Sequence, residues 1–397
     1  MLHPTLNNYF KKYSLDTILI TNLLNVRYLT GFTGTNGLVL LTRKKQFFFT
    51  DSRYTEQAKR EVKNYIVVQI KQDLLISVSE RLSAQGGSAS GGKDYKIIPP
   101  RAGSRLGGKR LGFDAGTVSY NQYLRLKKKL KGIALVPITE DPAEMRIIKS
   151  KDEIKKLEKA LQINKLAFNE IRRYIKPGVR EIDIAFKLEF ALRKHGAEKL
   201  AFDTIVASGI RGAMPHGKAS EKKIKAGELV TIDFGGVYQG YHADETVTLL
   251  VTSKSHPTLP SAEGRGWLRP SSAEEGIEGR SRKQLEIYHI VLEAQRLATK
   301  KVRPGVKCSD IDKAARDYIT KKGYGKYFGH ALGHGVGLEV HERPVLSPTS
   351  KDVLQEGMVF TIEPGIYIPG WGGVRLEDVF VCTKSGFKKL TKINKQI

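Results

Sequence analysis

Short apolar runs and amphipathic stretches alternate along the first third of the chain. LDTILITN (15–22) is a compact apolar run and predicts a strand. GLVLLTRKKQFFFTD (37–51) holds two such runs joined by a basic turn, and TEQAKREVKNY (55–65) has helical spacing. LGFDAGTVSYNQYLRLKKKL (111–130) predicts a strand end followed by a helix. GIALVPITEDPAEMRIIKS (132–150) passes through Pro137 and Pro142, which suits a linker. Residues 1–140 therefore read as one small α/β domain, with 141–150 linking it to the remainder of the chain.

The texture changes at Ser150. Ser150 and Glu153 form a capping-box pattern, and behind them Ile154, Leu157 and Leu161 recur at helical spacing. Further along is an internal repeat. IKPGVREIDIAFKLEFALRKHG (175–196) aligns with VRPGVKCSDIDKAARDYITKKG (302–323). Both copies read Pro-Gly-Val, an amphipathic helix and a glycine stop, with the same glycine spacing (178 to 196, 305 to 323). Each copy leads to a β-rich segment carrying acids. Two copies predict a pseudo-symmetric domain over 151–397 with a site between its halves, not a solenoid. The stretches 83–110 and 253–283 are rich in Gly, Ser, Pro and Arg without sustained periodicity, and read as surface insertions.

Composition narrows the function classes. The net charge is +26, from 67 basic and 41 acidic residues. The lysines are spread along helix faces such as KDEIKKLEK, and no arginine-and-aromatic stripe accompanies them, so specific nucleic-acid binding is not expected. No run of about eighteen apolar residues predicts a membrane span, and the N-terminal segment lacks a secretory layout. Two cysteines, Cys308 and Cys382, make no disulfide framework. A cytoplasmic setting is expected.

The chemistry concentrates in the second domain. GHALGHGVGLEVHERP (329–344) holds His330, His334 and His341 among four glycines, too glycine-rich for a stable helix. ELVTIDFGGVYQGYHADETVTLLV (228–251) reads as a hairpin, with Gly235 and Gly236 near its turn, and carries Asp233 and Asp244. MVFTIEPGIYI carries Glu363 and GVRLEDVFVC carries Glu377, both among strand formers. A carboxylate inside an apolar strand is costly to bury unless paired or metal-bound. Any one of them alone is more often an exposed acid at a strand edge; four beside a glycine-framed histidine argue otherwise. Four carboxylates and an imidazole suit Mn²⁺, Co²⁺ or Zn²⁺. Their negative charge exceeds what one ion needs and suits two ions roughly 3.5–4 Å apart.

In order, TIDFG, an aspartate eleven residues on, GHGVGLEVHE, TIEPG and VRLED resemble the pita-bread metallopeptidase family. NVRYLTGFTGTNG with FTDSRYTEQA resembles its creatinase-type N-terminal domain. The resemblance implies an α/β chain with a creatinase-like N-terminal domain and a C-terminal pita-bread domain, in the Xaa-Pro branch. It implies hydrolysis of the bond before proline by a hydroxide bridging two divalent ions, manganese first and cobalt or zinc next. Asp233 would bind one ion, His334 and Glu363 the other, and Asp244 and Glu377 both. Glu363 would also shuttle the proton. His216 in AMPHG and His341 would meet the scissile carbonyl or its developing charge, with His330 beside them. Arg375 would steady the bridging carboxylate Glu377. The resemblance also implies a homodimer. Its N-terminal motif is similar to that of the compact bacterial aminopeptidase P group, which puts an Xaa-Pro aminopeptidase ahead of an Xaa-Pro dipeptidase (prolidase). Metal-free creatinases and non-catalytic binding relatives fit less well, because all five ligand positions are intact. One departure stands out: the family's Ser-Asp-x-Thr-Arg-Thr reads Ala243-Asp244-Glu245-Thr246-Val247-Thr248 here, so the surroundings of the second aspartate differ while the ligand is kept.

Overall fold

The computed structural model describes residues 2–70, Leu75, 109–252 and 275–395. The chain divides into two compact units, Met1–Arg146 and Ile147–Ile397. The expected insertions lie outside the described residues except at their ends. Lys109 and Arg110 already belong to a strand, and Glu275 onwards is helical.

The first unit contains α1 (Pro4–Lys12), β1 (Thr17–Ile20), α2 (Leu23–Thr30), β2 (Leu38–Thr42), β3 (Gln46–Asp51), α3 (Thr55–Glu61), β4 (Ile66–Ile70), β5 (Lys109–Asp114), α4 (Tyr120–Lys129) and β6 (Ile133–Ile138). Its six strands form one mixed sheet in the order β4-β3-β2-β1-β5-β6. β1 is central and wholly buried, antiparallel to β2 and parallel to β5. Its alternating side chains feed two cores: Leu19 joins Leu40, Phe47 and Phe49, while Ile18 and Ile20 join Val39, Leu41 and Phe48. That is why the run is continuously apolar. The proline-bearing stretch from 132 starts as a strand. Residues 133–138 are strand β6, which tolerates Pro137 because, among the described strands, it is the sheet edge and bonds only to β5.

The second unit opens with α5 (Lys151–Ile171), whose capping box is fully formed. Ser150 Oγ accepts from Glu153 N at 3.3 Å, and Glu153 Oε2 accepts from Ser150 N at 2.9 Å. α6 (Glu181–Lys194) comes next, then β7 (Lys199–Leu200), β8 (Ile205–Ser208), β9 (Glu228–Phe234), β10 (Gly236–Tyr238), β11 (Tyr241–His242) and β12 (Glu245–Val251). The second copy supplies α7 (Glu275–Thr299), α8 (Cys308–Lys321), β13 (Gly333–Gly335), β14 (Glu342–Leu346), β15 (Val359–Ile362), β16 (Gly365–Ile368), β17 (Gly372–Arg375), β18 (Asp378–Thr383) and β19 (Gly386–Lys389). The repeat is real in three dimensions. α6 and α8 are both 14 residues long, and each is followed by a glycine with positive φ, Gly196 and Gly323. No described helix is long and apolar enough to cross a membrane.

Backbone ladders bring the halves together. β9 pairs with β12 so that Asp233 faces Thr246. Glu377 N then donates to Thr246 O at 3.2 Å, and Thr248 Oγ1 donates to Arg375 O at 2.8 Å. His242 N donates to Gly337 O at 2.8 Å. The turn between β10 and β11 is Gln239–Gly240, both with positive φ, not the Gly235–Gly236 pair. At Gly235 a Cβ would lie 1.9 Å from Ala243 O, so that glycine serves close packing of two chain segments.

Candidate metal centre

Five acidic and imidazole side chains converge from five chain segments. Asp233 is the penultimate residue of β9, and Asp244 precedes β12 directly. His334 is the middle residue of β13, Glu363 lies just past β15, and Glu377 sits between β17 and β18. The glycines around His334 let neighbouring strands come close. A Cβ on Gly333 would meet Thr361 O at 2.1 Å, and one on Gly335 would meet Arg343 O at 2.2 Å. Their role is strand-to-strand contact.

The ligand atoms of Asp244, His334 and Glu377 all lie within 4.8 Å of one another. His334 Nε2 stands 3.5 Å from Asp244 Oδ2 and 3.3 Å from Glu363 Oε1. The ring is aimed by its other nitrogen, Nδ1, which sits 3.0 Å from Gly335 O, while Thr361 Oγ1 accepts from His334 N at 3.1 Å. The same Thr361 hydroxyl donates to Glu363 Oε1 at 3.3 Å. Thr246 Oγ1 donates to Glu377 Oε2 at 2.8 Å.

Electrostatically the cluster needs cations. Burial pushes the carboxyl of Asp244 well above its ordinary range, and Glu377, Asp233 and Glu363 push it further. Burial, then Glu363 and Asp233, do the same to Glu377. Burial also raises Asp233, against the pull of Arg375. Glu363 is the exception: burial would raise it, but the hydrogen bond and charge of His334 hold it below the ordinary range. Burial opposes a charged His334, yet Glu363 and Glu377 lift it to about 9. Asp233 Oδ1 is buried with no hydrogen-bond partner. An orphaned carboxylate oxygen beside three mutually repelling acids fits a divalent-metal donor set.

The remaining expected residues sit around this core. Arg375 does not hold Glu377 directly. Its Nη2 donates to Asp233 Oδ2 at 2.6 Å and its Nε to Thr246 Oγ1 at 3.2 Å, so its hydrogen bonds lead to Glu377 through Thr246, while its charge also acts on that carboxylate. Arg375 ends β17, while Glu377 lies beyond the strand end. Its Nη1 donates to Tyr367 OH at 3.0 Å and to Pro215 O at 2.9 Å. His330 bonds Tyr367 OH through Nε2 at 3.0 Å and Ala331 O through Nδ1 at 2.7 Å, so its hydrogen bonds tie it to this tyrosine rather than to the four acids and His334. His341 is exposed, its ring 4.3 Å from that of His334 in an edge contact. Partial desolvation of the ring where it meets its neighbours lowers its pKa, and the charges of His334 and His216 add to that. His216 is exposed, next to the Pro215 carbonyl held by Arg375.

Three residues escaped sequence reasoning. Thr246 and Thr361 lie two positions from Asp244 and Glu363, so a period-2 reading would have put them on the same faces. Nothing in the sequence marks Tyr367, whose buried hydroxyl is pushed up to about 12, mainly by burial. Ala243 and Val247, where the family pattern departs, are fully buried, and Val247 packs in the core with Ile232 and Val230.

Comparison with known proteins identifies the family. Metallopeptidase family M24 matches residues 155–384, and the Creatinase/Prolidase N-terminal domain matches 4–148. Uncharacterized peptidase YqhT of Bacillus subtilis is 40% identical over 99% of this chain and 98% of its own. A solved structure described as an Xaa-Pro dipeptidase from Bacillus anthracis superposes with a TM-score of 0.83 at 40% identity, covering 99% of this chain and 97% of that one. One described as an X-Pro aminopeptidase from Thermotoga maritima gives 0.80 at 35% identity, covering 97% of each chain. With the five-residue cluster in place and both domain models matched, the chain belongs to metallopeptidase family M24, in the branch of Xaa-Pro dipeptidases and aminopeptidases.

Proposed function

We propose that the protein is a two-metal Xaa-Pro dipeptidase, cleaving dipeptides with proline second. The observation that carries the metallopeptidase part is the convergence of Asp244, His334 and Glu377 within 4.8 Å, flanked by Asp233 and Glu363. The names of similar proteins support the dipeptidase part. Besides the Bacillus anthracis structure, a curated Pyrococcus horikoshii protein called Xaa-Pro dipeptidase is 38% identical over 98% of this chain. This reverses the preference drawn from the N-terminal motif. The aminopeptidase reading remains second, supported by the Thermotoga maritima structure.

Asp233, Asp244, His334, Glu363 and Glu377 would hold two divalent ions. A carboxylate-rich set with one imidazole suits manganese, with cobalt or zinc as substitutes. When bound, such ions polarise the scissile carbonyl and make a water nucleophilic near neutral pH. The chain's own residues do the rest. Glu363 takes the proton from the attacking water and returns it to the imide nitrogen as the bond breaks. Arg375 fixes Asp233 through Oδ2 and leaves Oδ1 free. His216 and His341, both exposed, donate to the carbonyl oxygen as its charge develops.

The test is a matched assay on chelator-stripped protein reloaded with Mn²⁺, offered Ala-Pro and Ala-Pro-Ala. Cleavage of the dipeptide with the tripeptide spared is expected. Release of alanine from the tripeptide at a greater rate would overturn the dipeptidase assignment in favour of the aminopeptidase.

A further inference from the structure

Behind the candidate metal centre lies a second buried charge cluster. Strand geometry sends successive side chains to opposite faces. Asp244 and Thr246 turn towards the centre, and Glu245 between them turns away. Glu377 also faces the centre, and its neighbour Asp378 turns away. Glu245 and Asp378 meet at one lysine. Lys395 Nζ is 2.8 Å from Glu245 Oε1 and 2.8 Å from Asp378 Oδ1, and it donates to the backbone carbonyl of Glu377. An ammonium has three donors, and here all three have an acceptor. The Lys395 side chain is 1% exposed and those of its two acids 0% and 2%.

The surroundings fix this lysine in place. Tyr288 OH donates to Lys395 O at 3.1 Å. Asp378 is further held by Thr391 Oγ1 at 2.6 Å and by Lys389 at 2.8 Å, so it does not depend on Lys395 for charge balance. Glu245 does: its Oε2 is buried without a partner, and Lys395 is the cation it faces most closely.

We propose that Lys395 is a positioning residue of the metal centre. It clamps, from behind, the two segments that carry Asp244 and Glu377, the carboxylates that would be shared between the ions. This rests on the two-metal reading above. Two effects of removing Lys395 oppose each other. A cation removed from beside an acidic site strengthens metal binding through the field. Two segments released from a common tie let their carboxylates, Asp244 and Glu377, lose their sharing geometry, and loss of such a supporting contact typically weakens metal binding about 10–100-fold. Positioning and field therefore predict opposite signs.

The experiment titrates Co²⁺ into the chelator-stripped full chain, following heat and the visible absorption of the bound ion. It compares the parent with Lys395→Met and with Lys395→Met/Glu245→Gln. The double variant removes one positive and one negative charge together, so it keeps the charge balance if the single variant does not fold. Expected is Co²⁺ affinity about 10–100-fold weaker in the folded variants, with an altered absorption envelope. Unchanged or tighter binding with an unaltered spectrum in the folded double variant would overturn the clamp. A parent chain that takes up no Co²⁺ would instead overturn the metal reading itself, so the two failures are distinguishable.

Discussion

The two copies of the repeat share a frame and use it differently. Each has a 14-residue helix bearing a fully buried acid, and each acid holds a loop that carries a histidine. In the first copy the acid is Glu181. It accepts from Ser208 N and Oγ at 2.8 Å, from Ser220 Oγ at 2.6 Å and from Arg211 Nε at 2.9 Å, bracketing the loop of His216 by both ends. In the second copy the acid is Asp312. It binds Arg316 on its own helix and accepts from Leu332 N at 3.2 Å, while Arg316 donates to the carbonyls of Phe328 and His330. The first loop is tied at its ends and leaves its histidine exposed. The second is tied beside its histidine and leaves it half-buried. The ligands divide unequally too: two aspartates from one pair of strands in the first copy, and His334, Glu363 and Glu377 in the second.

That inequality is tested most severely by removing the one carboxylate of the centre that is held below its ordinary range. Glu363→Gln should keep the fold and lower turnover about 10²–10⁴-fold, the range of a general acid–base group. The check is kcat on Ala-Pro together with the circular dichroism spectrum. Undiminished turnover would move the proton carrier out of the second copy.

Next come the two buried acids. Glu181→Ala and Asp312→Ala should each cost about 3 kcal/mol, because a buried ion pair loses one partner. Denaturant melts of metal-loaded protein measure this. The variants should differ in where they loosen: limited proteolysis should open 208–220 in the first and 328–332 in the second. Equal cleavage of both loops in either variant would mean that the copies are not independent clamps.

A smaller effect separates Asp244 and Glu377 from Glu363. The first two have carboxyls raised in the fold, so in metal-free protein their contribution to stability is present below the ordinary carboxylate range and lost as pH rises through their raised values. Glu363, held low, contributes above that range and loses its contribution as pH falls through its lowered value. Bound metal replaces the protons. The rise in Tm on adding Mn²⁺ should therefore be several degrees larger at about pH 7.5 than at about pH 5. An equal rise at both would argue against a cluster of repelling acids.

Much of this was legible in residue order, and the exceptions share a cause. The capping box at Ser150, the repeat and the five candidate ligands are local patterns, and local patterns survive in one dimension. What failed to show depends on partners distant in sequence. Pro137 reads as a linker until β5 makes it an edge strand. Arg375 reads as a neighbour of Glu377 until folding brings Asp233 to it across 142 residues. Lys395 reads as one more of 67 basic residues until Glu245 meets it across 150.

The mildest substitutions concern the two loop histidines, and they cross stability with turnover. His216 is exposed, so His216→Ala should leave Tm within about 1 °C, as substitutions at exposed positions usually do. Turnover should fall about tenfold if its ring donates to the carbonyl oxygen. His330 bonds Tyr367 OH, which also accepts from Arg375 Nη1, which in turn is part of the guanidinium holding Asp233. His330→Ala removes one buried hydrogen bond, a loss of about 1 kcal/mol, and disturbs Asp233 only through two intermediates. It should lower Tm by a few degrees and change turnover less than His216→Ala does. Differential scanning calorimetry and kcat on Ala-Pro, run on both variants, decide the matter. If His330→Ala leaves Tm alone and abolishes turnover, His330 touches the substrate, and the second copy contributes a histidine to the chemistry just as the first does.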